Sequence, residues 1–457
     1  MNEQNYLKQL GWLVLIVVSG LSALYFLPSM TLDNHAMRRV DLLSDVRPKV
    51  EQVQAVDSSL LAPKVKPAFK EVCPPGKTCI VDYSDSTARG MQHFYASLEP
   101  ETLQQRPVRI AYFGDSFIEG DILTSDLRHM LQQKYGGCGV GFVTVTSITA
   151  GFRPTVHHSF QGWGSHSIVD TIYFDRSKQG ISGHYFVPSP GAIVELRGQN
   201  KYCSLLDTCD QASIYFLAKK GATLNARINR GASQTFAVAP SNRLQKIEVD
   251  GRIGQVRWTV SEADSALFYG MALDGDHGIQ LDNFSLRGTS GLNLRSVPVW
   301  MMKAFNEQRP YDLIILQYGL NVANKNSTRF DSYMEGMHTA IESLKQSFPQ
   351  ASILVVSVGD RDYRTETGEL RSMPGIKNLV LQQQNLAAEE HVAFWNMWEA
   401  MGGETGMARL VHAKPSMANY DYTHINFRGG KYLAGLLFEA LNYGKEQFEK
   451  RRAYEAE

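Results

Sequence analysis

Residues 108–116 read VRIAYFGDS, and this stretch decides the fold. Val108–Phe113 is a short apolar run of the kind that forms a buried parallel strand. The run stops at Gly114-Asp115-Ser116, and apolar residues then recur at helical spacing from Leu123 to Leu131. A strand, a tight turn and a helix in this order predict an α/β sheet.

Two further strands are predicted downstream, at Leu313–Leu316 and Ile353–Val358. Amphipathic stretches at 330–348, 376–390 and 429–441 lie between and after them. Strands that alternate with helices predict a three-layer α/β/α sandwich with a mainly parallel sheet. We assign residues 105–150 and 285–445 to this domain, and 446–457 to a charged tail with a frayed helix end.

The segment between these two parts, residues 151–284, has a different pattern. Period-two runs such as 212–218, 223–228 and 256–260 are separated at short intervals by Gly, Asn, Ser and Asp. This pattern predicts an all-β sandwich inserted into the α/β domain.

The N-terminus carries an uncharged apolar run, Leu10–Pro28. At about 1.5 Å per residue the run just spans the apolar core of a bilayer, roughly 30 Å thick. We expect an uncleaved transmembrane anchor at 10–28, a cytoplasmic tail at 1–9 and a membrane-proximal region at 29–104. The alternatives are a buried core helix and a cleaved signal peptide, whose apolar region is usually about 7 to 15 residues long.

Four of the five cysteines form two pairs of equal spacing, Cys73/Cys79 and Cys203/Cys209. Zinc ligands usually stand two to four residues apart, so five intervening residues fit small disulfide loops better. Disulfides imply an oxidising compartment, which predicts a periplasmic or otherwise extracytoplasmic body on a membrane anchor. Cys138 is left over and is interpreted as a packed thiol. We expect no metal and no cofactor.

The composition argues against a nucleic-acid-binding protein. Lys and Arg number 46, and Asp and Glu also number 46, so the net charge is zero and nucleic-acid binding is not expected. The 457 residues favour two domains, or one large domain with an insertion.

A serine on a sharp turn after a buried strand can project its hydroxyl and use nearby backbone amides as anion donors. Ser116 stands at this position. A hydroxyl nucleophile needs a base, and the base needs an orienting acceptor. Asp421 and His424 have the spacing that puts a carboxylate and an imidazole on one side of a turn. For each group alone, helix capping is the alternative.

An oxyanion hole is the third requirement of acyl transfer. Asn321, just past the second strand, offers a side-chain amide. Gly291, at the end of Gly288-Thr289-Ser290-Gly291, offers a backbone N–H that a larger residue would block.

Together these segments resemble the four blocks of the GDSL/SGNH hydrolase superfamily. Gly114-Asp115-Ser116, Ser290-Gly291, Gly319-Leu320-Asn321, and Asp421 with His424 match the blocks in type and order. The resemblance implies a flavodoxin-like SGNH fold and a carboxylic ester hydrolase. It also implies a Ser116–His424–Asp421 triad, an oxyanion hole from the amides of Ser116 and Gly291 and the Asn321 side chain, and a bracing role for Asp115.

The longer stretch 114–128 and the stretch 135–142 are similar to the peptidoglycan O-acetylesterase branch, which also carries a β-rich, carbohydrate-binding-module-like insertion. Two departures are Leu320, where that branch more often has Thr, and the clear N-terminal anchor. The resemblance implies an O-acetylated glycan substrate. An O-acetyltransferase with the same triad, working beside a membrane acyltransferase, and a non-catalytic glycan-binding protein are the alternative functions.

Overall fold

The computed structural model describes residues 4–25, 31–32, 35–36, 69–84, 90–170, 172–201, 203–326 and 328–456. Much of the expected membrane-proximal region, 29–104, therefore lies outside the described residues. Of positions 29–68, the structure describes 31–32 and 35–36. The chain divides into two compact units, Met1–Ala68 and Phe69–Glu457.

The first unit contains one long helix, α1 (Gln4–Tyr25), and a small antiparallel pair, β1 (Thr31–Leu32) with β2 (His35–Ala36). Within α1, Asn5–Ala23 is long and apolar enough to cross a membrane. A membrane anchor and a signal sequence share these properties.

The second unit holds the remaining elements. In chain order they are β3 (Val81–Asp82), α2 (Gln92–Ser97), α3 (Pro100–Gln105), β4 (Val108–Gly114), α4 (Thr124–Tyr135), β5 (Gly141–Val143), β6 (Val156–Ser167), β7 (His184–Gly198), β8 (Cys209–Leu217), β9 (Ala222–Ile228), β10 (Ser233–Val238), β11 (Gln245–Ile253), β12 (Gln255–Ala263), β13 (Leu267–Asp274), β14 (Ile279–Ser285), α5 (Val299–Gln308), β15 (Leu313–Gln317), α6 (Asp331–Ser347), β16 (Ser352–Val356), β17 (Asp362–Arg364), β18 (Leu370–Ser372), α7 (Ile376–Glu389), β19 (Ala393–Trp395), α8 (Met397–Ala400), α9 (Gly406–His412) and α10 (Phe427–Ala456).

Six of these strands form one sheet in the order β14-β4-β15-β16-β19-β3. All neighbours pair in parallel except β3, which is antiparallel to β19. Residues of β4 and β15 alternate between two apolar cores, because successive strand residues point to opposite faces. One core receives α5, α6 and α7, and the other receives α4, α9 and α10. The predicted α/β fold with a mainly parallel sheet is therefore present.

The β-rich segment forms a nine-stranded antiparallel sheet whose apolar side chains enclose a third core. Its ends differ from the expected limits of 151 and 284. Strand β14 pairs in parallel with β4 and so belongs to the α/β sheet, whereas β5, expected in the α/β part, pairs with β13. The segment still lies along the chain between two strands of the parallel sheet.

The cysteines correct one expectation. Cys73 and Cys79 form a disulfide, as predicted. The predicted Cys203–Cys209 disulfide is wrong, because both thiols are free and buried. Cys203 Sγ faces the carbonyl of Ser125 in α4, and Cys209 Sγ faces the carbonyl of Leu206, each at 3.8 Å, so the two side chains pack against different neighbours.

The expected frayed tail also differs, because α10 continues to Ala456. Phe448 is buried against Tyr95, and Lys445 pairs with Glu99 at 2.8 Å. Nearer the end of α10, Arg452 also pairs with Glu99, at 3.2 Å, and the Tyr454 ring lies 5.8 Å from that of Phe69, so the charged segment packs against the rest of the unit.

Candidate active site

Three of the four sequence blocks follow strand ends that lie side by side, and the fourth, with Asp421 and His424, lies in the loop between α9 and α10. Gly114, the last residue of β4, is in register with Ser285 at the end of β14 and with Gln317 at the end of β15. Open α/β sheets place their sites at the carboxyl ends of such strands. The loops that carry Ser116, Gly291 and Asn321 therefore leave the sheet at one edge.

Ser116 contacts His424 across a sequence separation of 308 residues, and His424 in turn contacts Asp421. Ser116 Oγ is 3.1 Å from His424 Nε2, and His424 Nδ1 is 2.8 Å from Asp421 Oδ2. Both distances are within hydrogen-bond range. The contacts have the order that the expected nucleophile, base and orienting acid require.

The loop from Asn419 to Ile425 holds the Asp421 carboxylate against His424. Asp421 Oδ1 accepts hydrogen bonds from the amides of Thr423 (2.9 Å) and His424 (3.0 Å). Tyr422, between them, has a φ of 53°, a left-handed conformation that costs a residue with a large side chain about 1–3 kcal/mol. Its phenol is buried and contacts His412 Nε2 at 3.2 Å, which keeps this strained turn in place.

The environment of Asp421 favours its ionised form. Partial burial alone would raise the pKa of Asp421, but hydrogen bonds from the backbone and ring of His424 and from the amide of Thr423 outweigh it and lower the pKa. A carboxylate can therefore accept the Nδ1 proton of His424, which leaves Nε2 free to accept a proton from Ser116.

The side chain of Asn321 contacts the segments that carry Ser116 and Gly291. Its Nδ2 donates to the carbonyl of Thr289 at 2.8 Å and lies 3.4 Å from Asp115 Oδ2. The amide was expected to be an oxyanion donor, and both of its hydrogens already have acceptors. The contact with Asp115 is long, at 3.4 Å, and is therefore the weaker of the two. A small rotation of the amide group can direct this hydrogen to another acceptor.

Gly291 lies against the ring of Tyr318, at the end of the neighbouring strand. It has a φ of 88°, and a Cβ at this position would stand 2.6 Å from the Tyr318 ring. The site therefore requires glycine both for its backbone conformation and for its close approach. The backbone amides of Ser116 and Gly291 donate to no residue that the structure describes, so both are available as donors.

Asp115 is almost fully buried behind Ser116. Its Oδ1 accepts the amide of Phe117 at 2.9 Å, which braces the turn. Burial raises the pKa of Asp115 to about 6, against the opposing effects of the Phe117 amide and of His424.

Asp121 fixes the segment that follows the nucleophile turn. It is buried, with a φ of 63°, and its carboxylate pairs with Arg128 and with Arg153, at 3.3 and 2.8 Å. Burial would raise the pKa of Asp121, but the two guanidinium groups hold it well below its usual range. Arg153 comes from the start of the β-rich segment, so this cluster ties that segment to the loop behind Ser116.

Two buried carboxylates lie near the site. From their place directly after the predicted strand Ile353–Val358, Asp360 and Asp362 are expected either at the rim of the site or in a solvated loop, yet both are buried and accept amide hydrogen bonds from the N-terminus of α9. Arg361, between them, contacts the turn that carries Asn321. The only signal was their place directly after a strand of the parallel sheet.

One group of side chains has the geometry to ligate a metal. Ligand atoms of Asp210, Asp276 and His277 lie within 4.8 Å of one another, near the start of β8 and after β13. Asp276 and His277 are exposed, and exposed acidic groups are common without a bound ion. This group is not assigned a role.

Comparison with solved structures supports the fold. A structure of a peptidoglycan O-acetylesterase matches with a TM-score of 0.65 and 19% sequence identity, covering 80% of this chain and 99% of that one. A family two carbohydrate esterase from Cellvibrio japonicus matches at a TM-score of only 0.26 and 9% identity, covering 63% and 99%. No family model and no curated protein matches the sequence. The predicted resemblance to the O-acetylesterase branch is thus confirmed for the fold.

Proposed function

We propose that the protein is a serine esterase that removes O-acetyl groups from peptidoglycan or another cell-envelope polysaccharide. The observation that carries the proposal is the contact of Ser116 Oγ with His424 Nε2 at 3.1 Å, with Asp421 on the other ring nitrogen. A hydroxyl, a base and an acid in this order are the parts that nucleophilic acyl transfer needs.

In this mechanism Ser116 Oγ attacks the carbonyl carbon of the acetyl ester while His424 Nε2 takes the hydroxyl proton. The tetrahedral intermediate collapses to an acetyl-serine, and His424 returns the proton to the departing sugar oxygen. Water then attacks the acetyl-serine with His424 as base, and acetate is released. Asp421 holds the imidazole tautomer and stabilises the imidazolium.

Negative charge on the carbonyl oxygen would be held by the amides of Ser116 and Gly291 and by the Asn321 side chain. The two backbone amides have no other acceptor among the described residues. Asn321 would reorient its amide so that the hydrogen in the long, 3.4 Å contact with Asp115 points to the oxyanion.

Two observations support a polymeric acetylated glycan as substrate. His424 and Asp421 keep 37% and 48% of their side-chain surface exposed, so the site is open to a large molecule. The fold is also similar to that of a structure named as a peptidoglycan O-acetylesterase. The apolar helix α1 and the Cys73–Cys79 disulfide support a membrane-anchored protein with an extracytoplasmic body.

The test is to supply the full chain, in mild detergent, with O-acetylated peptidoglycan and to measure released acetate. We expect turnover by the wild type and none by Ser116→Ala or His424→Ala. Ser233→Ala, at an exposed position in β10, is the control and should match the wild type. Wild-type rates in either site variant would refute the triad.

The same assay separates hydrolysis from acetyl transfer. The candidate membrane span is the observation that favours a transferase, since such an enzyme can work with a membrane acyl donor. Addition of a sugar acceptor would then move acetate from the released to the transferred fraction. If added acceptor leaves released acetate unchanged, the hydrolase stands.

A further inference from the structure

Arg361 contacts the turn that carries Asn321. Its Nη1 donates to the carbonyls of Leu320 at 3.3 Å and Ala323 at 3.1 Å. Leu320 is the residue directly before Asn321, so the guanidinium holds the peptide plane from which the Asn321 side chain departs. A charged donor makes these bonds stronger than neutral ones.

The turn also has restraints of its own. The amides of Val322 and Ala323 donate to the carbonyl of Gly319, each at 3.0 Å, and Asn321 Nδ2 donates to the carbonyl of Thr289 at 2.8 Å. The side chain of Ala323 is buried, as is that of the residue before Asn321. Arg361 adds a charged donor that binds carbonyls on both sides of Asn321, which restricts the remaining freedom of the turn.

Arg361 can restrain the turn because its own backbone is fixed. Its carbonyl accepts from the amide of Met373 at 2.7 Å, and the amide of Asp362 donates to the carbonyl of Tyr422 at 3.0 Å. The Asp360 and Asp362 carboxylates accept the amides of Met407 and Ala408 at the start of α9, at 3.1 and 2.6 Å. One short segment thus contacts both the Asn321 turn and the loop of His424.

We propose that Arg361 is a positioning residue that sets the Asn321 amide for oxyanion binding in the proposed ester cleavage. The inference rests on the proposed function. Arg361 acts through the turn and not on a reacting atom, so its removal should affect the transition state more than ground-state binding.

The kinetic test uses Arg361→Ala, Arg361→Lys, Asn321→Ala and the double variant, with a small acetyl ester as substrate. We expect Arg361→Ala to lower kcat by about 10- to 100-fold with KM within about twofold, below the loss of about 10²- to 10³-fold for one oxyanion donor. Lysine should restore part of the rate, since an ammonium can reach one carbonyl. Arg371→Ala, which removes an exposed arginine paired with Glu369, is the control.

The double variant decides whether Arg361 acts through Asn321. If it does, the double variant should be no more than about twofold slower than Asn321→Ala, because the two losses are then not independent. Losses that multiply would overturn the proposal.

A second measurement does not depend on activity. Hydrogen exchange of the Val322 and Ala323 amides should be faster in Arg361→Ala and unchanged in Arg371→Ala. Unchanged exchange in Arg361→Ala would overturn the positioning role whatever the kinetics. If the wild type cleaves no acetyl ester but exchange is still faster in Arg361→Ala, the proposed function is refuted, and the restraint of the turn by Arg361 stands.

Discussion

Replacing Gly291 with alanine tests the close approach of this residue to the Tyr318 ring. The new Cβ would meet the Tyr318 ring at 2.6 to 2.9 Å, shorter than ordinary carbon contacts. The left-handed backbone adds about 1–2 kcal/mol for any residue with a Cβ, and overpacking adds about 1–3 kcal/mol. We therefore expect Gly291→Ala to lower the free energy of unfolding by about 2–5 kcal/mol.

Gly288 is a matched control three residues away. Its φ of 77° is similar, but a Cβ there would meet nothing within 4 Å. Gly288→Ala should therefore show the backbone cost alone, about 1–2 kcal/mol. Urea unfolding of the full chain in detergent measures both values. Equal losses in the two variants would refute the claim that the Tyr318 ring restricts this position.

Three further predictions follow from buried charges and the disulfide. Asp115 has its pKa raised to about 6, so the folded state binds more protons than the unfolded state between about pH 4 and 6. The wild type should therefore lose stability relative to Asp115→Asn as pH rises through this window, by roughly 3 kcal/mol; a pH-independent difference in urea unfolding would contradict this. Asp121→Asn leaves two buried guanidinium groups without their carboxylate and should cost about 3–5 kcal/mol in the same assay, whereas a loss below about 1 kcal/mol would mean that the ion cluster is not needed. Reducing the Cys73–Cys79 bond opens a loop with a sequence separation of 6, which should cost about 2 kcal/mol and lower the Tm, while a Cys73→Ser/Cys79→Ser variant should show no response to reductant.

The elements around the site could be predicted because their signals are local. Leu313–Leu316 was expected as a strand and Leu313–Gln317 is one, since a continuous apolar run needs no distant partner to be recognised. Likewise, the residues chosen as nucleophile, base and acid are in contact. Their roles stay a prediction, and the parallel sheet explains only why the segments of Ser116, Gly291 and Asn321 lie near one another, since each follows a strand of that sheet.

Other features depend on partners that local sequence does not identify. Most of strand β14 was expected in the β-rich segment, which was given the limit 284, but β14 belongs to the parallel sheet; its Asp282 carboxylate is buried because Arg309 and Tyr311 bind it from elsewhere in the chain. The spacing of Cys203 and Cys209 suggested a loop, but spacing does not specify the direction of side chains. The position of Asp360 and Asp362 after a strand indicates either the rim of the site or a solvated loop, whereas their burial depends on α9, a distant short helix whose amides they bind.

The antiparallel strand β3 has a consequence for where the folded body begins. It covers the outer edge of β19, and the carbonyl of Thr78 in the neighbouring disulfide loop accepts a hydrogen bond from Trp395 Nε1 at 3.0 Å. Without this cover, the backbone of β19 would present open hydrogen-bonding groups, which template aggregation between molecules. Residues 69–84 thus protect the edge strand β19. A truncated protein that starts at residue 105 would expose this edge and should aggregate.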